Sequence, residues 1–194
     1  MKMDAPAPGT PPPAATLATA LMLRVAGGDA AAFTQLVRLL ERPALGLAMR
    51  TLMDRAGAQD VCQQAFTRLW THAARFNPER GNAEAWFRRI LVNLCLDRRR
   101  AVRPVQSLDV AAEIADDRPD PEQQAIRSDG HARLAAAMAR LGPRQRLALS
   151  LFHGDGHSMA EIAAQMETTA KAVEGLLGRA RNELRTLMSE SPSP

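Results

Sequence analysis

At 194 residues, 46% of them hydrophobic, the chain is long enough to fill one medium core or two small ones. Its formal net charge of +4 comes from 25 Lys and Arg against 21 Asp and Glu, and only Lys2 and Lys171 are lysines. Cys62 and Cys95 exclude a disulfide framework, and no run approaches the ~18 apolar residues that span a bilayer, so a soluble, cytoplasmic protein is expected.

Residues 1–15 are Pro-rich and read as a disordered tail. Residues 14–26 (AATLATALMLRVA) could pass for the apolar part of a signal peptide, but Arg24 interrupts them and no cleavage pattern follows. From Thr16 to Arg100 the strong patterns are helical. One helix is expected behind Asp29, interrupted or bent near Pro43. A second covers roughly 58–74, and a third covers 82–100 with Phe87, Ile90, Leu91 and Leu94 on one face. The Asn77-Pro78 step and Gly81 predict a loop between these two. Residues 104–121 change character. From 104 to 122 six acids (Asp109, Glu113, Asp116, Asp117, Asp120, Glu122) face one base, Arg118, with prolines at 104, 119 and 121, the pattern of a solvated linker. Helices resume with Asp120 as cap and break at Gly142-Pro143. The expectation is an all-α chain of two small domains, 16–103 and 122–189.

The C-terminal part carries the most specific pattern. Ser158 with Glu161 forms an S-x-x-E capping box ahead of a short helix. A turn of about three residues follows, then a longer helix from Thr169 with Val173, Leu176, Leu177, Ala180, Leu184 and Leu187 on one face. Lys171, Arg179, Arg181, Asn182 and Arg185 occupy the other, with Gly175 and Gly178 where a backbone can come close. Two helices on a tight turn, the second basic outside, suit the major groove of duplex DNA.

Charge is segregated upstream as well. Between Arg68 and Arg103, nine arginines stand against Glu79, Glu84 and Asp97. Trp86, Arg89, Asn93 and Asp97 form a stripe at helical spacing that ends in Arg98, Arg99 and Arg100. Rings stack on bases, guanidiniums hold phosphates and amides read base edges, so this stripe suits single-stranded nucleic acid.

In order and spacing these segments resemble the extracytoplasmic-function sigma factors, the small two-domain class of bacterial promoter-recognition subunit. GDAAAFTQLV resembles the family's opening helix and AQDVCQQAFTRLW its polymerase-docking segment. AWFRRILVNLCLDRRR resembles the helix at the −10 promoter element, SLD the linker start, and LGPRQRLALSLF through RARNEL the region that reads the −35 element. The resemblance implies core RNA polymerase and promoter DNA as partners, and an anti-sigma factor, often membrane-bound, that restrains the protein until a stress arrives. It implies polymerase docking by Asp60, Gln63, Gln64 and Phe66. It implies −10 contacts from Phe76, Asn77, Arg80, Asn82, Trp86, Arg89, Asn93, Arg98, Arg99 and Arg100, and −35 contacts from Thr169, Lys171, Glu174, Gly175, Gly178, Arg179 and Arg181.

Two departures carry consequences. Gln59 and Gln64 stand where docking acids are usual, which implies docking that leans less on charge. Glu167 stands at the turn where Gly is usual, and Glu disfavours positive φ, which predicts a different turn geometry. A conventional two-domain helix-turn-helix regulator is the alternative reading. An enzyme is not expected: His72, His131, His153 and His157 are dispersed, and His153 and His157 flank glycines in a predicted loop. No catalytic residue, metal, cofactor or small-molecule substrate is implied, and both cysteines read as buried structural thiols.

Overall fold

The computed structural model describes residues 14–101 and 121–189, and every regular element among them is helical. The N-terminal half holds α1 (Ala14–Ala26), α2 (Ala30–Leu52), α3 (Arg55–Thr71) and α4 (Ala83–Ala101), with single 3-10 turns at Ala73–Arg75 and Pro78–Arg80. The C-terminal half holds α5 (Pro121–Arg140), α6 (Pro143–Leu149), a π-helical turn at Ser150–Gly154, α7 (Met159–Gln165) and α8 (Ala170–Ser189). The expected linker, all but Pro121, and most of the expected tail lie outside the described residues, as does the Asp120 cap.

Local chemistry explains most boundaries. Asp29 accepts a hydrogen bond from the Ala32 amide at 2.9 Å and so caps α2, while Arg24 of α1 donates to the same carboxylate at 2.7 Å. The expected interruption at Pro43 does not occur: α2 runs unbroken from Ala30 to Leu52. Pro43 lies on the exposed face, where the carbonyl one turn earlier can be served by water. α3 begins three residues before the expected start. The Gly142-Pro143 break is present, with Gln145 accepting from the Gly142 amide at 2.8 Å at the head of α6. His153 falls in the π-helical turn rather than in a loop, whereas His157 lies in the loop before α7.

The helices are joined by apolar stripes at the predicted period. Leu36, Leu40, Ala44, Leu47 and Ala48 of α2 meet Val61, Ala65 and Leu69 of α3 and Phe87, Leu91 and Cys95 of α4. Leu147, Leu151, Ile162, Val173 and Leu177 do the same work in the C-terminal half. Each fully buried leucine or valine contributes about 1.5–3 kcal/mol relative to leaving it in water. The two halves are not separate: one contiguous apolar cluster runs through both, and α2 and α4 pack on α6 and α7. This seam positions the surfaces described next.

Candidate nucleic-acid interface

α4 is capped by Asn82, whose side chain accepts from the Ala85 amide at 2.8 Å and whose carbonyl takes the Trp86 amide at 3.1 Å. Asn77 caps the preceding turn in the same way, accepting from Glu79 N–H at 2.8 Å. Gly81 joins the two caps at a φ of 138°, a conformation glycine alone adopts readily. Both asparagine oxygens are thus committed to backbone, and an outside contact falls to their NH2 groups. Arg80 is exposed between them. Phe76 is only 9% exposed and packs edge-on against Trp86, ring centroids 5.8 Å apart, because burying the ring outweighs presenting it to solvent. The contact props the Trp86 ring.

Along α4, Trp86 is half-buried with its body on the core, Arg89 is exposed and Asn93 is half-buried. Arg98 donates to Asp60 of α3 at 3.1 Å and lies 4.0 Å from Asp54, so two residues expected at different partners form one ion pair. Arg99 and Arg100 belong to the last turn of α4. Arg88, one step from Arg89, turns toward the C-terminal half. Burial pulls its pKa below the usual arginine value, while Asp155, Glu84 and Glu161 favour its charged form.

On α3, Asp60, Gln63 and Gln64 are exposed and Phe66 is half-buried, stacked on Phe87 at 4.7 Å. Beside them Ala30, Phe33, Val37, Phe66 and Trp70 line a shallow apolar groove, with the Phe33 and Trp70 rings 5.0 Å apart. Trp70 is 39% exposed, unusually open for a tryptophan. The sequence reading missed Phe33, Val37 and Trp70. Trp70 was legible, since Gln63, Phe66, Thr67 and Trp70 fall at i, i+3, i+4 and i+7.

The C-terminal pair forms as its capping box predicts. Ser158 N–H donates to Glu161 at 2.8 Å, and the Ser158 hydroxyl accepts the Glu161 amide at 3.3 Å. Thr169 caps α8, accepting from the Ala172 amide at 3.2 Å. Lys171, Glu174, Gly178, Arg179 and Arg181 are exposed on α8, opposite buried Val173, Leu177 and Ala180. Arg179 lies across Gly175, where an added Cβ would come within 3.3 Å of its guanidinium. Arg181 sits 5.4 Å over the Phe152 ring, a cation–π contact that half-commits it to its own bundle.

The turn between α7 and α8 departs from expectation. Glu167 keeps the left-handed conformation, with a φ of 51°, and Thr168 N–H closes the turn on the Ala163 carbonyl at 2.9 Å. That is a Schellman-type stop with glutamate where glycine is the unstrained choice. The Glu167 carboxylate also reaches the other half of the molecule. It accepts from Arg89 Nη2 at 2.9 Å and Nε at 3.1 Å, with Asn93 Nδ2 at 3.5 Å. These donors, chiefly Arg89, hold its carboxyl below the usual glutamate range.

Comparison with known proteins accounts for both halves. Sigma-70 region 2 matches residues 36–104 and sigma-70 region 4 matches residues 131–184. RNA polymerase sigma factor CnrH of Cupriavidus metallidurans is 34% identical over 178 residues, covering 87% of this chain and 92% of CnrH. The chain belongs to the extracytoplasmic-function sigma factors of the sigma-70 family. A member named as such, SigK of Mycobacterium tuberculosis, is 25% identical over 184 residues, 93% of this chain and 98% of SigK. The solved structure of CnrH with the cytosolic domain of CnrY covers 90% of this chain and 99% of that one, at 29% identity and a TM-score of 0.65. RpoE of Bartonella quintana, solved with the anti-sigma factor NepR, shares the fold at 20% identity and a TM-score of 0.63, covering 82% and 98%.

This sigma factor therefore directs RNA polymerase to promoters, and the region 2 match removes the alternative of a conventional helix-turn-helix regulator. Among the described residues, no group of His, Cys, Asp and Glu is placed to hold a metal ion, and no helix is long and apolar enough to cross a membrane.

Proposed function

We propose that residues 16–103 dock on core polymerase and open the −10 element, that 122–189 hold the −35 duplex, and that 104–121 link them. The single observation that carries the reading is the α4 stripe. A propped, half-buried Trp86, an exposed Arg89 and the Asn93 amide lie on one helical line, and Arg98, Arg99 and Arg100 follow in sequence in the last turn of α4. Such a line offers a ring for stacking, an amide for base edges and cations for phosphate along one path. The Asn77 to Asn82 loop, with Arg80, stands at its N-terminal end.

For polymerase docking, the polar face of Asp60, Gln63 and Gln64 borders the apolar groove of Phe33, Phe66 and Trp70, a pairing suited to a helical partner. For the −35 element, Thr169, Lys171, Glu174 and Gly175 at the start of α8 face base edges, while Gly178, Arg179 and Arg181 lie along the backbone side. The protein itself catalyses no reaction and works in the cytoplasm. An anti-sigma factor restrains it until a stress, as the partner in the CnrH and RpoE structures suggests by analogy.

Run-off transcription with core polymerase on genomic fragments tests the reading, with permanganate footprinting of the −10 region as the site-specific arm. Trp86→Ala is expected to impair strand opening more than initial binding, because stacking is worth ~1–3 kcal/mol per base. Equal permanganate reactivity in parent and Trp86→Ala would reject the α4 assignment.

A further inference from the structure

The two most informative observations of the turn fall on one residue. Glu167 occupies a left-handed conformation that glycine would adopt without strain, and it spends its carboxylate on Arg89 and Asn93, 78 and 74 residues away in sequence. Nothing in the helix-turn-helix itself requires that carboxylate, since the turn is closed by backbone hydrogen bonds from Met166 to Ile162 and from Thr168 to Ala163. The side chain instead takes the Nε and Nη2 edge of Arg89, the fork that suits a phosphate.

We propose that Glu167 is an intramolecular mask: its carboxylate stands in for DNA on the Arg89–Asn93 face, so the described arrangement blocks single-strand recognition while α8 stays exposed. The inference rests on the reading of α4 given above. Other contacts hold the halves together at the same time. Arg50 donates to Asp155 at 2.7 Å, with its guanidinium against Gly154, and buried Arg146 of α6 donates from Nε to the Thr51 carbonyl of α2 at 3.0 Å. The seam is nevertheless imperfectly satisfied. Glu84 Oε2, Ser150 Oγ, His157 Nε2 and Gln165 Oε1, on or next to elements that meet there, are buried without a hydrogen bond among the described residues. An interface of that kind opens more easily than a dry apolar one.

The mask is weak by construction. Side chains of Arg89 and Glu167 are 57% and 54% exposed, so salt screens the pair and a polyanion displaces the single carboxylate. Removing it is expected to tighten binding of a single strand by about 1.5- to 5-fold, the range for an exposed ion pair. The strain at this position allows two variants with different backbone consequences. Glu167→Gln removes the charge and keeps the strained φ, whereas Glu167→Gly removes the charge and relieves the strain.

The test uses the full chain, with fluorescence anisotropy of a short labelled oligothymidine at low salt. Glu41→Gln, an exposed charge elsewhere on α2, controls for the general gain in positive charge. Spin labels at exposed Gln35 and Ala136, in a Cys62→Ala, Cys95→Ala background, report the separation of the halves by pulsed electron resonance. The proposal expects tighter strand binding in both Glu167 variants, none in Glu41→Gln, and a label distance distribution that matches the parent, because Arg146 and the apolar cluster still hold the halves; a gain seen only together with longer label distances would overturn the mask as a local stand-in. If Arg89→Ala weakens strand binding but the Glu167 variants match the parent, or Glu41→Gln gains as much, the mask is overturned and the α4 reading stands. If Arg89→Ala binds the strand as well as the parent, the α4 reading fails and the mask with it.

Discussion

Arg146 is the residue on which the most structure converges. It has no exposed surface, yet its guanidinium donates to Met138 O at 3.2 Å and Ala139 O at 3.0 Å, at the end of α5, and to Thr51 O in the last turn of α2. One cation therefore serves the C-terminal carbonyls of two helices from opposite halves, where helix dipoles concentrate negative charge. Replacement by methionine keeps the volume but strands those carbonyls, and the expected loss is about 2–4 kcal/mol in urea unfolding. A loss under about 0.5 kcal/mol would mean that water replaces the guanidinium freely. The cysteines are the opposite case. Burial pushes Cys95 up to about 12 and Cys62 up to about 11, with Cys62 itself raising Cys95 and Glu41 raising Cys62. Thiolate is the reactive form, so neither sulfur is expected to react with Ellman's reagent in the folded protein at pH 8, and both are expected to react once it is denatured. Fast labelling of Cys62 in the native state would reopen a redox role.

At the level of elements, the loop into α7 gives the molecule a pH response of definite sign. Burial lowers the His157 pKa below 6.5, Arg88 of α4 lowers it further, and Glu161 of α7 and Asp155 oppose. The unfolded chain then takes up a proton before the folded one. Stability contributed here is full above the ordinary histidine pKa and declines as pH falls from about 6.5 toward the lower folded value. The carboxylates act lower down: Glu161, held below 4.5 by its bonds from Ser158, stabilises above that range and is lost only in acid. Urea midpoints at pH 7.5 and 5.5 are expected to differ in the parent and to converge in His157→Gln. A parent midpoint that rises toward pH 5.5 would contradict the assigned sign. Ser158→Ala, which removes half of the capping box, is expected to cost about 1 kcal/mol at any of these pH values. These elements were the most legible part of the chain, because a capping box and an apolar period are local: Ser158, Glu161 and the stripe from Val173 to Leu187 fix α7 and α8 without reference to anything distant. The α4 stripe was legible for the same reason. The burial of Phe76 was not legible, because sequence carries no mark of whether a loop aromatic faces in or out. Glu167 was seen as unusual, but its partners, Arg89 and Asn93, come close only through tertiary packing that no local pattern encodes.

Across the whole molecule, the seam between the halves combines interactions that answer differently to salt, and this separates their contributions. Arg89–Glu167 and Arg50–Asp155 are largely solvent-accessible pairs, whereas Arg146 and the contiguous apolar cluster are shielded. At roughly 0.5 M salt the screening length falls to a few ångströms, which weakens the two exposed pairs and leaves Arg146 nearly unaffected. Apolar burial is not weakened by salt. The parent is therefore expected to keep its radius of gyration in small-angle scattering between low salt and 0.5 M. Arg146→Met removes the shielded link and leaves the screened ones. It is expected to stay closed at low salt and to expand at 0.5 M, with far-ultraviolet circular dichroism unchanged because α2 and α6 remain intact helices. Expansion of the parent in salt would mean that the exposed pairs dominate the closure. A compact Arg146→Met at high salt would mean that the apolar contacts among α2, α4, α6 and α7 suffice alone. A sigma factor directs polymerase to promoters, so on the proposed docking at the α3 face, whichever link dominates is the one that polymerase binding has to overcome.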